Sequence, residues 1–188
     1  MITLKFPDGR VYRKRGYRIV RGLFFLLMLG AILAAWYYAD GIVSRETIIA
    51  ARSPMQTADG DSFAIGPRKF RLKGIDAPEY RQTCNDAKGM KWECGKAARA
   101  ALEKLLLEPG LTCVTDAQDR YHRALATCKT TQTPDLGAKQ VTDGFAVSHE
   151  YYGLRDYGSE EDAASSARRG IWQGNFIQPD LWRATQTR

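Results

Sequence analysis

Asp59-Gly60-Asp61-Ser62-Phe63-Ala64-Ile65-Gly66-Pro67-Arg68-Lys69-Phe70-Arg71-Leu72-Lys73-Gly74-Ile75-Asp76-Ala77-Pro78-Glu79 is the stretch that decides the reading of the chain. Asp-Gly and Gly-Pro are turn signals, and short apolar-polar alternations of strand type fill the spaces between and after them. The stretch reads as two strands, around Ser62 to Ile65 and Lys69 to Ile75, entered and left by acidic turns. On the second strand Phe70 and Leu72 share one face, and Arg71 and Lys73 share the other. Carboxylates therefore stand at both ends of a hairpin, with Arg71 between them.

Upstream, Thr47 to Thr57 reads as a long, irregular first strand. Downstream, Tyr80 to Gly89 is polar and turn-rich, which predicts a surface loop. Gly95 to Glu108 carries Ala98, Ala101, Leu102, Leu105 and Leu106 at helical spacing and is stopped by Pro109-Gly110. Leu111 to Thr115 and Arg123 to Cys128 form a second hairpin across a charged turn, Asp116 to Arg120. Asp135 caps a short helix that Gly144 ends. A last helix begins near Ser159, with Glu160, Glu161 and Asp162 in its first turn and Arg168 and Arg169 in its last, a charge order that complements the helix dipole. Residues 183–188 read as a frayed polar end within a C-terminal tail, 174–188. Five short strands with interspersed helices predict an α+β, mainly β fold, a small barrel with helices packed on it. An OB-fold is one such barrel, and periodicity also allows other α+β arrangements.

The chain has 188 residues and a formal charge of +7. Residues 1–21 hold Lys5, Arg10, Arg13, Lys14, Arg15, Arg18 and Arg21 against Asp8, which leaves only +1 for the rest. The basicity belongs to this tail and says little about what the folded part binds. Residues 22–39 carry no charge and, as a helix, would span roughly 27 Å, close to the hydrocarbon thickness of a bilayer. Trp36, Tyr37 and Tyr38 supply an interfacial belt, and the basic flank predicts a cytoplasmic N-terminus with everything past the link at 40–46 outside. A cleaved signal peptide and a buried core helix are the competing readings. The long n-region and the lack of an Ala-x-Ala triplet favour a retained anchor.

Cys84, Cys94, Cys113 and Cys128 all fall in the part predicted to lie outside, where an even set suggests two disulfides. Cys84 with Cys94 would clip a loop, and Cys113 with Cys128 would join neighbouring strands; spacing does not fix the connectivity. No Cys-x-x-Cys knuckle is present to support a four-cysteine zinc site.

Asp61 and Asp76 are hard oxygen donors suited to Ca²⁺ or Mg²⁺. Each also has a plain structural reading, Asp61 as a turn carboxylate and Asp76 to Glu79 as a capping box, although no periodic helix follows the latter. Glu79, if it faces a metal-bearing pocket, is placed to deprotonate or orient a water. Arg71 and Arg123 suit bidentate contact with a phosphate, or simply solvated strand faces.

Taken together, Asp59-Gly-Asp-Ser62, Phe70-Arg-Leu72, Gly74-Ile-Asp-Ala-Pro-Glu79 and Asp119-Arg-Tyr-His-Arg123 resemble the thermonuclease, or staphylococcal nuclease-like, family. The resemblance continues through Gln82-Thr-Cys84, Trp92-Glu-Cys-Gly95, Asp143-Gly-Phe-Ala146 and Ala167-Arg-Arg-Gly-Ile-Trp172, covering residues 47–173. It implies a five-stranded OB barrel with three helices and a Ca²⁺-dependent phosphodiesterase acting on DNA and RNA to leave 3′-phosphate ends. Asp61, Asp76 and the Ala77 backbone carbonyl would hold Ca²⁺. Glu79 would act as general base, Arg71 and Arg123 as phosphate-binding arginines, and Arg120, Tyr121 and His149 as substrate contacts. In two departures from the family pattern, His122 replaces an expected glycine and His149 an expected tyrosine. The alternative is a non-catalytic OB module that binds single strands or a protein partner. Such a module would be expected to lose the acidic set, which is present here.

Overall fold

The computed structural model describes residues 16–41, 46–49, 54–151 and 154–186. The chain divides into two units, Met1–Ser44 and Arg45–Arg188, and the division falls inside the predicted link. In the first unit, helix α1 (Gly16–Gly41) covers the predicted anchor. Its side chains are exposed over 21–36. Among the described residues no helix is long and apolar enough to cross a membrane. The predicted transmembrane segment is therefore found as a helix and not as a demonstrated span.

The second unit begins with β1 (Glu46–Ile49), β2 (Met55–Thr57), β3 (Ser62–Ile65), β4 (Arg68–Leu72), β5 (Ile75–Asp76), β6 (Cys84–Asn85) and β7 (Lys91–Trp92). Helix α2 (Cys94–Leu106) leads to β8 (Thr112–Gln118), β9 (Ala124–Lys129), α3 (Leu136–Thr142), β10 (Val147–Ser148), β11 (Glu150–Tyr151) and β12 (Leu154–Arg155). Helix α4 (Gly158–Ser166), a 3-10 turn at Gly170–Gln173 and α5 (Pro179–Gln186) complete it.

Six strands form one sheet in the order β1-β8-β9-β4-β3-β2. The predicted first strand is two strands, which lie on opposite edges of this sheet. Ile49 and Met55 are only six positions apart, and a chain extends at most about 3.5 Å per residue. The edges must therefore approach each other, and the sheet curls into a half-barrel of OB-like form. Its β4–β9 pairing is parallel, setting Arg71 opposite Leu125 and Phe70 opposite Ala124.

The core follows from the alternation along the central strands. Phe63 and Phe70 face each other in register and stack at 5.3 Å between ring centroids. Leu72, Leu102, Leu106, Leu136 and Val141 close around them, all essentially without solvent contact. Helix α2 buries Ala98, Leu102, Leu105 and Leu106, the stripe its spacing predicts. Asp135 caps α3 as expected, accepting from the Ala138 N–H at 3.0 Å.

Both disulfides form, Cys84–Cys94 and Cys113–Cys128. The second joins directly opposed residues of β8 and β9. The first anchors a smaller core with Val147 and Ile171, flanked by Trp92, Trp172 and Phe176.

Four expectations need correction. The 80–89 segment is not wholly a surface loop, because Gln82 and Cys84 are buried. The charged turn sits later than predicted, since β8 continues through a bulge to Gln118 and the reversal occurs at 119–123. Arg168 and Arg169 lie beyond the end of α4, where Arg169 donates to the Thr142 carbonyl instead of serving the dipole. Finally, the supposed polar tail contains α5. Its start follows from Pro179 at the first helical position with Asp180 behind it.

Because Cys113 and Cys128 close a loop of 15 residues, replacing both with Ala should destabilise the second unit by about 3 kcal/mol. Denaturant unfolding of the double variant checks this; an unchanged midpoint would show that strand pairing alone supplies the constraint.

Candidate active site

The acidic hairpin ends meet on one arginine. Asp61 follows the Asp59 turn, which is folded by the Asp61 N–H donating to the Asp59 carboxylate at 3.1 Å. Gly60 makes this packing possible, since a Cβ there would lie 2.7 Å from the Cβ atoms of both Ala77 and Ala98. Buried Gln140, from α3, donates through Nε2 to the Gly60 carbonyl at 2.7 Å and to the Ala98 carbonyl at 3.1 Å. Asp76 lies on β5, which is held by β10 with Asp76 opposite Val147.

Arg71 spans the two carboxylates, with Nη1 2.7 Å from Asp61 Oδ1 and Nη2 2.7 Å from Asp76 Oδ1. Asp61 also accepts from the Ser62 hydroxyl at 2.7 Å and the Ala77 N–H at 3.0 Å. Burial nevertheless outweighs these donors and pushes the Asp61 carboxyl up to about 7.

Glu79 sits on a tight turn. Its N–H donates to the Gln82 side-chain oxygen, and its carbonyl accepts from the Gln82 N–H at 2.7 Å. The start of α2 presses on this turn so closely that a Cβ at Gly95 would lie 1.8 Å from the Glu79 carbonyl oxygen.

Arg123 is fixed by Asp119, donating from Nε to Oδ2 at 2.7 Å and from its main chain to Oδ1 at 2.9 Å. Its Nη1 reaches the Ser62 hydroxyl oxygen at 3.0 Å. That hydroxyl therefore links Arg123 to Asp61. Tyr121 lies under the guanidinium groups of Arg120, at 5.0 Å, and Arg123, at 5.5 Å. His122 occupies the glycine position with φ +60°, the left-handed region that side chains disfavour.

Arg71, Glu79, Arg120, Tyr121 and Arg123 all line one open groove of about 910 Å³. Of the predicted substrate contacts, His149 is not brought there. It is exposed, and its N–H bonds the Gly74 carbonyl at 2.8 Å. Sequence reasoning missed Ser62, Asp119 and Arg183 of α5. Arg183 donates to both oxygens of Asp76, at 3.0 and 2.8 Å, and to Glu79 at 3.0 Å. Asp119 was within reach from sequence, four residues before the arginine it orients. Arg183 had no such neighbour.

The Asp61 and Asp76 carboxylates and the Ala77 carbonyl are hard oxygen donors of the kind Ca²⁺ or Mg²⁺ takes, with water completing the shell. Among the described residues no three His, Cys, Asp or Glu side chains group to hold a metal. The fit is therefore of the two-carboxylate type, dependent on main-chain oxygen and water.

Two outcomes follow for the isolated protein in chelator. The folded Asp61 keeps its proton to about pH 7, against an ordinary value of 3.8, so the folded state binds more protons between these limits. Its contribution to stability should be present below about pH 4 and lost as pH rises through 7. Unfolding midpoints at pH 4.5 and 7.5 should show a loss that Asp61→Asn reduces; an equal loss in both proteins would contradict the shift. His122→Gly should relieve the left-handed strain and, net of glycine's extra unfolded-state entropy, stabilise by roughly 0.5–1 kcal/mol, readable from the same unfolding curves.

Residues 69–174 match the family described as Staphylococcal nuclease homologue. The chain is also 32% identical over 146 residues to the succinoglycan biosynthesis protein ExoI of Rhizobium meliloti (strain 1021), covering 77% of this chain and 75% of that one. With the half-barrel and its arginine-bridged carboxylates, these matches show that the chain belongs to the staphylococcal nuclease homologue family.

Proposed function

We propose that the chain is a Ca²⁺-dependent nuclease that hydrolyses phosphodiester bonds of DNA or RNA to leave 3′-phosphate ends. The observation that carries this reading is the Arg71 bridge between the buried carboxylates of Asp61 and Asp76, with Arg71, Glu79 and Arg123 together on the wall of a single groove. Asp61, Asp76 and the Ala77 carbonyl would hold the ion. A bound divalent ion supplies positive charge against the phosphoryl oxygens. Glu79, part-exposed on the groove, would accept the proton of the attacking water. Arg123 and Arg71 would donate to the phosphoryl oxygens as their charge grows, and the Asp119 contact sets the Arg123 fork in advance. Tyr121 and Arg120 offer a face and a charge to the strand beyond the cleaved bond.

The proposed location is the extracytoplasmic side of a bacterial inner membrane, with the N-terminus in the cytoplasm and residues 22–39 as anchor, or secretion if that segment is cleaved. The polybasic flank and the uncharged run support it. So do the two disulfides, which persist in oxidising compartments. A second reading is a non-catalytic role in polysaccharide synthesis, and it draws on the name of the relative from Rhizobium meliloti.

A Ca²⁺-titrated cleavage assay separates the two. Chelator should abolish cleavage of single-stranded DNA, and Glu79→Gln should lower kcat by about 10²- to 10⁴-fold. Arg123→Ala should lower it by about 10²- to 10³-fold. Cleavage indifferent to all three would refute the site.

A further inference from the structure

Helix α5 lies outside the segment that matches the family, yet it reaches the centre of the site. Its start is held firmly. Buried Gln82 donates to the Ile177 carbonyl at 2.6 Å, Asn85 N–H to the Asn175 carbonyl at 2.9 Å, and Pro179 is fully buried. From Leu181 onward the helix is mostly exposed, and Arg183 projects to the acidic pair.

The contact there is a two-pronged fork. Nη1 and Nη2 of Arg183 take Asp76 Oδ1 and Oδ2 separately, and Nη1 also takes Glu79. Arg71 already holds Asp76 Oδ1. Every oxygen of the Asp76 carboxylate is thus engaged by a guanidinium, in a side chain only 7% exposed. A divalent ion coordinates carboxylate oxygen at about 2.3–2.6 Å. It would place two further positive charges against a guanidinium in a poorly solvated pocket, where like charges repel strongly. One cation has to leave. Arg71 is held by two carboxylates and is 16% exposed, whereas the Arg183 side chain is 40% exposed and comes from a short terminal helix.

We propose that Arg183 and a divalent cation exclude one another at Asp76, so that cation binding expels Arg183 and loosens α5, making this helix a built-in gate on the site. The inference rests on the reading of Asp76 as a cation ligand. Arg183 lines the same groove as Arg71 and Arg123.

The test is calorimetric titration of the full chain with Ca²⁺, without nucleic acid, on wild type, Arg183→Gln, Arg183→Lys, Lys69→Gln and Asp61→Asn. Lys69 lines the same groove, so its variant controls for loss of a nearby charge alone. Arg183→Gln should bind Ca²⁺ about tenfold more tightly, which corresponds to about 1.4 kcal/mol. Arg183→Lys, which keeps the charge without the fork, should fall between it and wild type, and Lys69→Gln should change affinity less than twofold. Hydrogen exchange of the 181–186 amides in wild type should quicken on Ca²⁺ addition. Equal tightening by Arg183→Gln and Lys69→Gln, or exchange unaltered by Ca²⁺, would overturn the gate while leaving the cation site intact. Ca²⁺ binding that Asp61→Asn leaves unchanged would overturn the cation site and the gate with it.

Discussion

Two carboxylates buried close together repel each other and resist ionisation, and in this protein one guanidinium answers both. Arg71 stands between Asp61 and Asp76 at 2.7 Å from each, and its Nη2 also meets the Ile75 carbonyl at 3.3 Å. Breaking such a pairing leaves an uncompensated buried charge, which is costly. The arrangement therefore dictates register as well as chemistry. Arg71 must sit opposite Ser62 on β3, as it does, and β5 must stay paired with β10 for Asp76 to arrive.

The same economy runs through the supports of the site. Gly60 and Gly95 allow backbone approaches that any side chain would block. Gln140 and Gln82 are buried amides whose partners are main-chain groups beside Asp61 and Glu79. Ser62 joins the arginine of the second hairpin to the carboxylate of the first. The site is thus built from the core outward.

Much of this was legible in the chain itself. The turn chemistry at Asp59-Gly60 and Gly66-Pro67 and the alternation at Phe70 and Leu72 located the hairpin, because local steric and burial rules govern both. Asp61, Asp76, Glu79, Arg71 and Arg123 were recoverable as a set because they recur in ordered motifs, although each alone read as a turn or surface residue. What was not legible depended on distant contacts. The split of the first strand comes from closure of the sheet. The burial of Gln82 comes from the 175–179 segment folding over it. Arg183 sits 107 residues from Asp76, on a helix too short for periodicity to announce. His149 shows the opposite failure, since a family position did not carry its side chain to the groove.

The proposed reading makes the carboxylates, the arginines and the groove a device for cutting a phosphodiester at its 5′-oxygen. The end groups of the products test that claim most directly. A defined single-stranded DNA oligonucleotide treated with the full chain and Ca²⁺, then read by mass spectrometry, should yield fragments with 3′-phosphate and 5′-hydroxyl ends. Fragments with 5′-phosphate ends, or an oligonucleotide left intact, would contradict it.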